Sequence, residues 1–273
     1  MKKVDFKKFL IFTSKKFKFY LIQPLLYIFL LKSNVIANNS FYLSLANQLL
    51  QKAELDQLSN NISNKFSAGY REDHFIIGVD KKKDGFHYTD FPKISQQFFK
   101  TEQGNLILTD SKLDIAFIDN YYFKLMTEQG IKYSVEGRML INNQNIIVNH
   151  VGYPYLDNND APIQLAENYQ DFSFAEDGSI FVDGENIARI SAVNFPPEVT
   201  IYKHGNNLYV SDGDPLNVEN FRIFIGGYRQ SNVNQFDSMI KLSNIQKDSN
   251  VSTTNISDIN KLISGTITKF SIK

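Results

Sequence analysis

The sequence LDQLSNNISNKFSAGY, from Leu55 to Tyr70, decides how the rest of the chain is interpreted. Leu55, Leu58 and Ile62 follow helical spacing and therefore share one face of a helix. The asparagines among them are poor residues for a helix interior, because their amides compete for backbone hydrogen bonds. Gly69 supplies the permissive backbone position that commonly follows a helix end. The stretch therefore predicts the end of an amphipathic helix that packs against protein, with no sign of a nucleophile, a metal cage or a phosphate loop.

The composition is that of a globular chain. Its 273 residues suffice for one good core or two small domains, with 42% apolar and 21% charged residues. The net charge is zero, which disfavours a nucleic-acid partner. The absence of Cys excludes disulfides and thiolate metal sites, and none of the four His residues has a ligand-like spacing to another. The sequence therefore predicts no cofactor and no metal site.

Residues 1–36 differ from the rest of the chain. A lysine-rich start is followed by the apolar run Tyr20–Leu31, which Pro24 interrupts. This pattern fits a targeting segment or a membrane anchor, although the run is short for a membrane-spanning helix and lacks a convincing cleavage site. A mis-assigned start near Ala37 is an equally weighted interpretation. Any membrane contact is expected only through residues 20–31.

The remaining patterns predict an α+β chain in four parts: an N-terminal helix (37–70), a connector (71–110), a β-rich domain (111–228) and a C-terminal helix (229–273). Apolar and polar residues alternate in short runs between Gly turns, which indicates an antiparallel β domain. Asp177-Gly178 and Asp183-Gly184 are favoured hairpin turns. Within the connector, Lys81–Gly85 is predicted to be a solvated turn.

The C-terminal helix is expected to begin near Asn232 or Asn234, either of which fits an N-cap. From Met239 onwards, residues follow the 3-4 spacing of a heptad seam that is polar in its middle. We therefore expect the N- and C-terminal helices to pair as a coiled coil around a central, mainly antiparallel β domain.

Several motifs resemble those of the flagellar rod, hook and hook-associated family. The opening stretch is similar to the family's N-terminal signature, Leu-Asp-x-x-Ala/Ser-Asn-Asn-x-Ala/Ser-Asn followed by Gly-Phe/Tyr-Arg. It matches at Leu55, Asp56, Ser59, Asn60, Asn61, Ser63, Asn64, Gly69, Tyr70 and Arg71. Later matches, in family order, are Tyr133-Ser134 with Gly137, Gly152-Tyr153-Pro154, Asp177–Ile180 and Ser231–Asn234. Departures include Val135, where the family usually has Arg, and an Asn/Ser/Thr-rich region after Lys247.

The resemblance implies a structural subunit of the bacterial flagellar basal-body rod in the periplasm, most like the proximal rod member. It implies export through the flagellar type III apparatus, with other rod subunits and further copies of the chain as partners. The apolar and polar stripes on the helices predict one set of assembly residues, which would pack the helices and fix their register. The set is Leu45, Leu49, Leu55, Leu58, Asn60, Asn61, Ile62, Asn64, Ser231, Asn232, Val233, Asn234, Met239, Leu242, Ile263 and Ile267.

Two other readings stay open at this level. One is the distal rod or hook member of the same family. The other is a membrane-anchored envelope protein that binds through its β domain and is held by Tyr20–Leu31. An envelope hydrolase is disfavoured, because the sequence offers no nucleophile with a base in reach. The expectation is a protein without enzymatic activity.

Overall fold

The computed structural model describes residues 41–84 and 87–271, which form seventeen strands and two helices. The first helix, α1, covers 41–63 among the described residues and ends within the stretch where the sequence predicts a helix end. The second helix, α2, spans Gln235–Ser271. The features predicted for residues 1–36 lie outside the described part of the chain.

The largest sheet has six antiparallel strands. They are β5 (Tyr122–Thr127), β6 (Gly130–Ser134), β12 (Ala192–Asn194), β13 (Ile201–Gly205), β14 (Leu208–Ser211) and β15 (Leu216–Asn217). Their order across the sheet is β13-β14-β6-β5-β12-β15. Strands β5 and β6 form a hairpin that closes with Thr127 opposite Gly130.

A second sheet confirms both hairpins predicted from Asp-Gly pairs. Its strands are β9 (Phe172–Phe174), β10 (Ser179–Val182) and β11 (Glu185–Arg189), in the order β11-β10-β9. Gly178 (φ +84°) turns the chain between β9 and β10. Asp183 (φ +53°) and Gly184 (φ +86°) form the tight turn between β10 and β11, as a type I′ hairpin requires.

The other strands form two-stranded pairs, of which the first is the longest. The pairs are β1 (Asp73–Asp84) with β2 (His87–Phe99), β3 (Leu106–Leu108) with β17 (Gly227–Arg229), β4 (Ile115–Phe117) with β16 (Ile223–Ile225), and β7 (Leu140–Ile141) with β8 (Ile147–Val148). Strand β1 continues through Lys81 and Lys82, where the sequence predicted a solvated turn.

Two groups of buried apolar side chains form the core of the β-rich part. The larger group includes Phe117, Phe123 and Tyr155, whose rings stack or meet edge to face. The smaller group consists of Tyr122, Val193, Phe195 and Tyr209. Within the described residues, six Phe and four Tyr side chains are buried, and aromatic residues are common in strands.

The chain divides into two compact units. One comprises Leu55–Ile76 and Gln96–Ser243 and holds both core groups. The other holds the remaining described residues, including the first part of α1, most of the long hairpin and the larger part of α2.

The expected α+β fold with a coiled coil of terminal helices is wrong. The described chain is predominantly β, and its two helices do not form the predicted apolar seam: Leu45, Leu49 and Met239 are exposed. One described contact between the helices is polar, a hydrogen bond of 3.2 Å from Gln48 Nε2 to Thr253 Oγ1. The physical reason is that the C-terminal stripe is polar in its middle and offers little apolar area to bury.

Candidate functional site: the signature network

The stretch that opened the sequence analysis leads into a short segment, residues 61–73, that is tied closely to its own compact unit. Among the hydrogen bonds that hold its backbone, Asn207 Nδ2 donates to the Ala68 carbonyl (3.0 Å), the Gly69 N–H to the Arg229 carbonyl (2.8 Å), and the Asn232 N–H to the Tyr70 carbonyl (3.1 Å). We call this segment, together with the side chains that bind it, the signature network. It joins the end of α1 to residues far along the chain.

Gly69 lies where the segment passes close to the backbone that follows β6. Its φ of +66° is in the left-handed region, which favours glycine. A Cβ at this position would lie 2.7 Å from the backbone carbonyl atoms of Val135. Glycine therefore permits both the turn and the close backbone approach.

Asn61 is the centre of the network at the end of α1. It is 1% exposed, its Nδ2 donates to the Asp73 carbonyl (2.9 Å), and its Oδ1 accepts from the Asp73 N–H (2.9 Å). The Tyr70 hydroxyl lies 3.0 Å from the same Oδ1. The Asn61 amide therefore bonds both the N–H and the carbonyl of Asp73, as a residue on a neighbouring strand would. These bonds fix the start of β1 to the end of α1.

Lys203 supplies the positive charge that faces Asp73. Its Nζ lies 2.8 Å from Asp73 Oδ1 and 3.9 Å from the centre of the Tyr70 ring. Burial lowers the pKa of Lys203, and the Asp73 carboxylate opposes that change. Burial, with the nearby Asp73 charge, raises the pKa of Tyr70. The ion pair with Asp73 and the Tyr70 ring together stabilise the Lys203 ammonium group in a largely buried position.

Arg71 extends from the same segment into the smaller core group. Its side chain is among the largest that are fully buried, and its guanidinium lies 4.8 Å from the Tyr122 ring and 5.7 Å from the Tyr209 ring. Its Nη atoms donate to the Tyr122 hydroxyl and to Asn120 Oδ1. Aromatic faces therefore provide much of its electrostatic environment.

Glu72 connects the segment to the residues that precede α2. Lys100 Nζ lies 2.6 Å from Glu72 Oε2, and the Glu72 N–H donates to Asn232 Oδ1 at 2.6 Å. Asn232 also donates through Nδ2 to the Glu102 carbonyl at 2.7 Å. Asn234 then caps α2, because its Oδ1 accepts from the N–H groups of Phe236 and Asp237. Of the two predicted caps, Asn234 is thus the one used.

The predicted assembly residues fall into three groups by exposure. Exposed are Leu45, Leu49, Asn60, Asn234 and Met239. Half-buried are Leu55, Ile62, Asn64, Asn232, Val233 and Leu242. Buried are Leu58, Asn61 and Ser231, while Ile263 and Ile267 lie within α2. Asn61 and Asn232 form hydrogen bonds within the chain. An assembly role for the whole set of residues stays a prediction.

The site predicted from the sequence did not include the charged residues of the signature network. Tyr70 and Arg71 matched the family motif but were not assigned to the site, and Glu72, Asp73 and Lys203 were not singled out. Three consecutive charged residues, Arg71 to Asp73, directly follow the motif in the sequence and are the available signal. Nothing in the sequence indicates that Lys203 is the partner.

A separate cleft of about 450 Å³ lies beside the segment. It is lined by Phe66, Asp114, Arg138 and the pair Glu136–His150, among others. His150 Nδ1 lies 2.7 and 2.8 Å from the two Glu136 carboxylate oxygens. Burial raises the pKa of Glu136, and His150 opposes that change. The Glu136 carboxylate and the His150 ring therefore bind each other at the edge of the cleft.

Within 41–84 and 87–271, no three His, Cys, Asp or Glu side chains are grouped so that they would hold a metal ion. Neither described helix has an apolar stretch long enough to cross a membrane.

Comparison with known proteins gives matches over most of the chain. No protein-family model matches it. The chain is 26% identical over 217 residues to the flagellar basal-body rod protein FlgF of Caulobacter vibrioides, covering 77% of this chain and 89% of the relative. It is 27% identical over 209 residues to FlgF of Rhizobium meliloti, covering 74% and 85%. It is 26% identical over 230 residues to the flagellar hook-basal body complex protein FlhP of Bacillus subtilis, covering 73% and 82%. These similarities confirm the resemblance to flagellar rod proteins, and within them to FlgF.

Proposed function

We propose that this chain, which is similar to the flagellar basal-body rod proteins, is a structural subunit of the bacterial flagellar rod. The observation that carries the proposal is the match to proteins named FlgF over about three quarters of the chain. The signature network supports it, because the motif that resembles the family is also the part that fixes the end of α1 by buried polar contacts. The location that follows is the basal-body rod, with other rod and hook subunits as neighbours.

The subunit assembles through its terminal helices, in this proposal, by burying apolar residues against neighbouring subunits. Several residues on the helices support this, since they are large, apolar and exposed in the single chain: Tyr42 (57%), Leu49 (62%), Phe236 (80%), Met239 (52%) and Ile240 (61%). Phe236, Met239 and Ile240 follow helical spacing and therefore share one face of α2. Clustered apolar exposure of this kind marks protein interfaces.

The β1–β2 hairpin carries further exposed apolar side chains. Ile76, Ile77, Val79, Ile94 and Phe98 are each more than two fifths exposed. Since a two-stranded hairpin is at best marginally stable alone in water, contact with a neighbouring subunit would stabilise it. Export through the flagellar type III apparatus belongs to the same proposal and rests on the family resemblance.

The test is incorporation into basal bodies. A double variant, Phe236→Ser with Met239→Ser, is produced in a strain that lacks the natural gene, and basal bodies are purified. We expect a folded chain that no longer copurifies with basal bodies, and a loss of motility. The matched control is Leu216→Ser with Ile187→Ser, which removes exposed apolar residues from the β-rich unit and should leave incorporation intact. Normal incorporation of the α2 variant would contradict assembly through this helix.

The same experiment also tests the broader proposal. Absence of the unaltered chain from purified basal bodies would refute the role as a rod subunit. Its presence there, with full incorporation of the α2 variant, would refute only the proposed assembly surface.

A further inference from the structure

The cleft beside the signature network has apolar side chains both in its wall and at its solvent-facing edge. Its volume of about 450 Å³ falls in the usual range for binding pockets, roughly 300–1,000 Å³. Met139 is buried in its wall, whereas Phe66 and Leu140 are 71% and 53% exposed. All three belong to one compact unit. Exposed apolar side chains grouped at a cleft are typical of a protein-binding site.

The ionisable groups that this cleft presents to solvent are basic. Its lining holds two acidic and two basic side chains: Asp114, Glu136, Arg138 and His150. The acidic side chains are less than a tenth exposed, whereas the basic ones are more than half exposed. Arg138 Nε lies 3.8 Å from Asp114 Oδ1, which is too far for a hydrogen bond, and the guanidinium makes none within the described part of the chain. An occupant with a carboxylate would supply the acceptor that Arg138 lacks.

The start of α2 carries a side-chain pair that complements this cleft. Phe236 is 80% exposed, the largest fraction among the large apolar side chains of the described residues. Asp237 follows it in the first turn, is exposed, and has no ion-pair partner in the residues that the structure describes. Asn234 caps the helix through the N–H groups of both residues. One ordered helical turn therefore presents an aromatic ring and a carboxylate to solvent.

We propose that the cleft binds the first turn of α2 from a neighbouring copy of the chain. The Phe236 ring packs against Phe66 and Leu140, and the Asp237 carboxylate accepts hydrogen bonds from Arg138. This inference rests on the proposed function and names the surface that receives α2. Burial of the ring supplies most of the affinity, while the exposed ion pair mainly fixes the orientation. Since each copy has one such turn and one such cleft, the contact can repeat from subunit to subunit along a polymer.

Disulfide cross-linking in purified basal bodies tests this contact directly, because the natural chain has no Cys. Asp237→Cys combined with Leu140→Cys places one thiol beside Phe236 and one in the cleft. In a strain that lacks the natural gene, we expect oxidation to join neighbouring copies into products that neither single variant forms. Asp237→Cys combined with Ile187→Cys, at an exposed position on β11, is the matched control and should form no such product.

Charge reversal tests the orientation of the contact. Arg138→Glu and Asp237→Arg each place like charges opposite one another, so each alone should lower incorporation into basal bodies about tenfold. The two substitutions together restore opposite charges and should restore incorporation. Thermal unfolding of each variant checks that the β-rich unit remains folded. Two folded single variants that are both incorporated normally would overturn the pairing of Arg138 with Asp237.

The cross-linking result separates this contact from the proposed function. Basal bodies that contain the Asp237→Cys, Leu140→Cys chain without a cross-link would overturn the contact and leave the role as a rod subunit intact. Absence of the unaltered chain from basal bodies would overturn both. If the cysteine variant is not incorporated, a photoreactive benzoyl-phenylalanine in place of Leu140 decides the matter. Capture of a second copy supports the contact, and capture of a different basal-body protein overturns it.

Discussion

The backbone N–H of Glu72 donates a hydrogen bond of 2.6 Å to Asn232 Oδ1, across 160 positions of sequence. This bond joins the segment that follows α1 to the residues that precede α2. Both regions resemble the flagellar rod family in sequence, and the structure brings them together within one compact unit. The two motifs, which lie far apart in the sequence, therefore bind each other in the folded chain.

Asn232→Ala should destabilise the fold by about 2 kcal/mol, because the buried Glu72 N–H loses its acceptor and the Glu102 carbonyl loses a donor. Urea unfolding at neutral pH measures the change in the free energy of unfolding. Asn168→Ala, at an exposed position, is the control and should shift it by less than about 0.5 kcal/mol. Equal stability of the two variants would show that the Glu72–Asn232 bond contributes nothing.

Gly69→Ala should destabilise by about 3 kcal/mol or more, since the new methyl group would both strain a left-handed backbone and meet Val135 backbone atoms at 2.7 Å. Gly184→Ala separates these causes. Its φ is also positive, at +86°, but nothing lies within 4 Å of the added Cβ, so its cost should be about 1 kcal/mol. Thermal and urea unfolding of both variants provide the comparison, and a Gly69 variant no worse than the Gly184 variant would argue against the close approach.

Stability should fall as the pH rises above about 10, because buried phenols keep their protons in the folded state. Burial raises the pKa of Tyr70, Tyr122, Tyr155 and Tyr209 above the ordinary value of 10.0. Above that value the unfolded chain releases protons that the folded chain retains, which favours unfolding. Lys203 acts in the opposite direction, since its pKa is lowered and the folded chain loses that proton first.

Tyr70→Phe tests this pH dependence. It removes one titrating phenol, so the alkaline decline in the free energy of unfolding should become shallower by about 1 kcal/mol per pH unit. At neutral pH the variant should be about 1–2 kcal/mol less stable, because the contacts to Asn61 and Asp73 are lost. Urea titrations from neutral to alkaline pH measure both effects. An unchanged slope for Tyr70→Phe would contradict the role of its burial.

Local chemistry made part of this fold predictable from sequence. Asp177-Gly178 and Asp183-Gly184 specify their turns through backbone preferences of adjacent residues, and both hairpins are present. Asn234 specifies the start of α2 for the same reason, since a cap requires only the next three residues. In each case the interaction that decides the structure lies within a few positions.

Features that depend on distant partners were not predictable in this way. The sequence did not show that the Asn61 amide pairs with Asp73 and Tyr70 inside the chain, and its role in polar register between subunits stays a prediction. The contact of Lys203 with Asp73 depends on the sheet that carries β13, which no local pattern specifies. The predicted coiled coil was wrong because the residues at heptad spacing in α2 are polar in the middle of the helix and offer little apolar area to bury.

The signature network combines short-range and long-range bonds. They span 3 to 160 positions, so Glu72 and Asp73 reach all of their partners only after Lys203 and Asn232 have been synthesised. Folds dominated by such long sequence separations have high contact order and fold slowly, since loop-closure entropy opposes each long-range bond. Asn61 has its partners Tyr70 and Asp73 nearby in the sequence, whereas the bond from Glu72 to Asn232 forms only once the chain has been synthesised as far as Asn232.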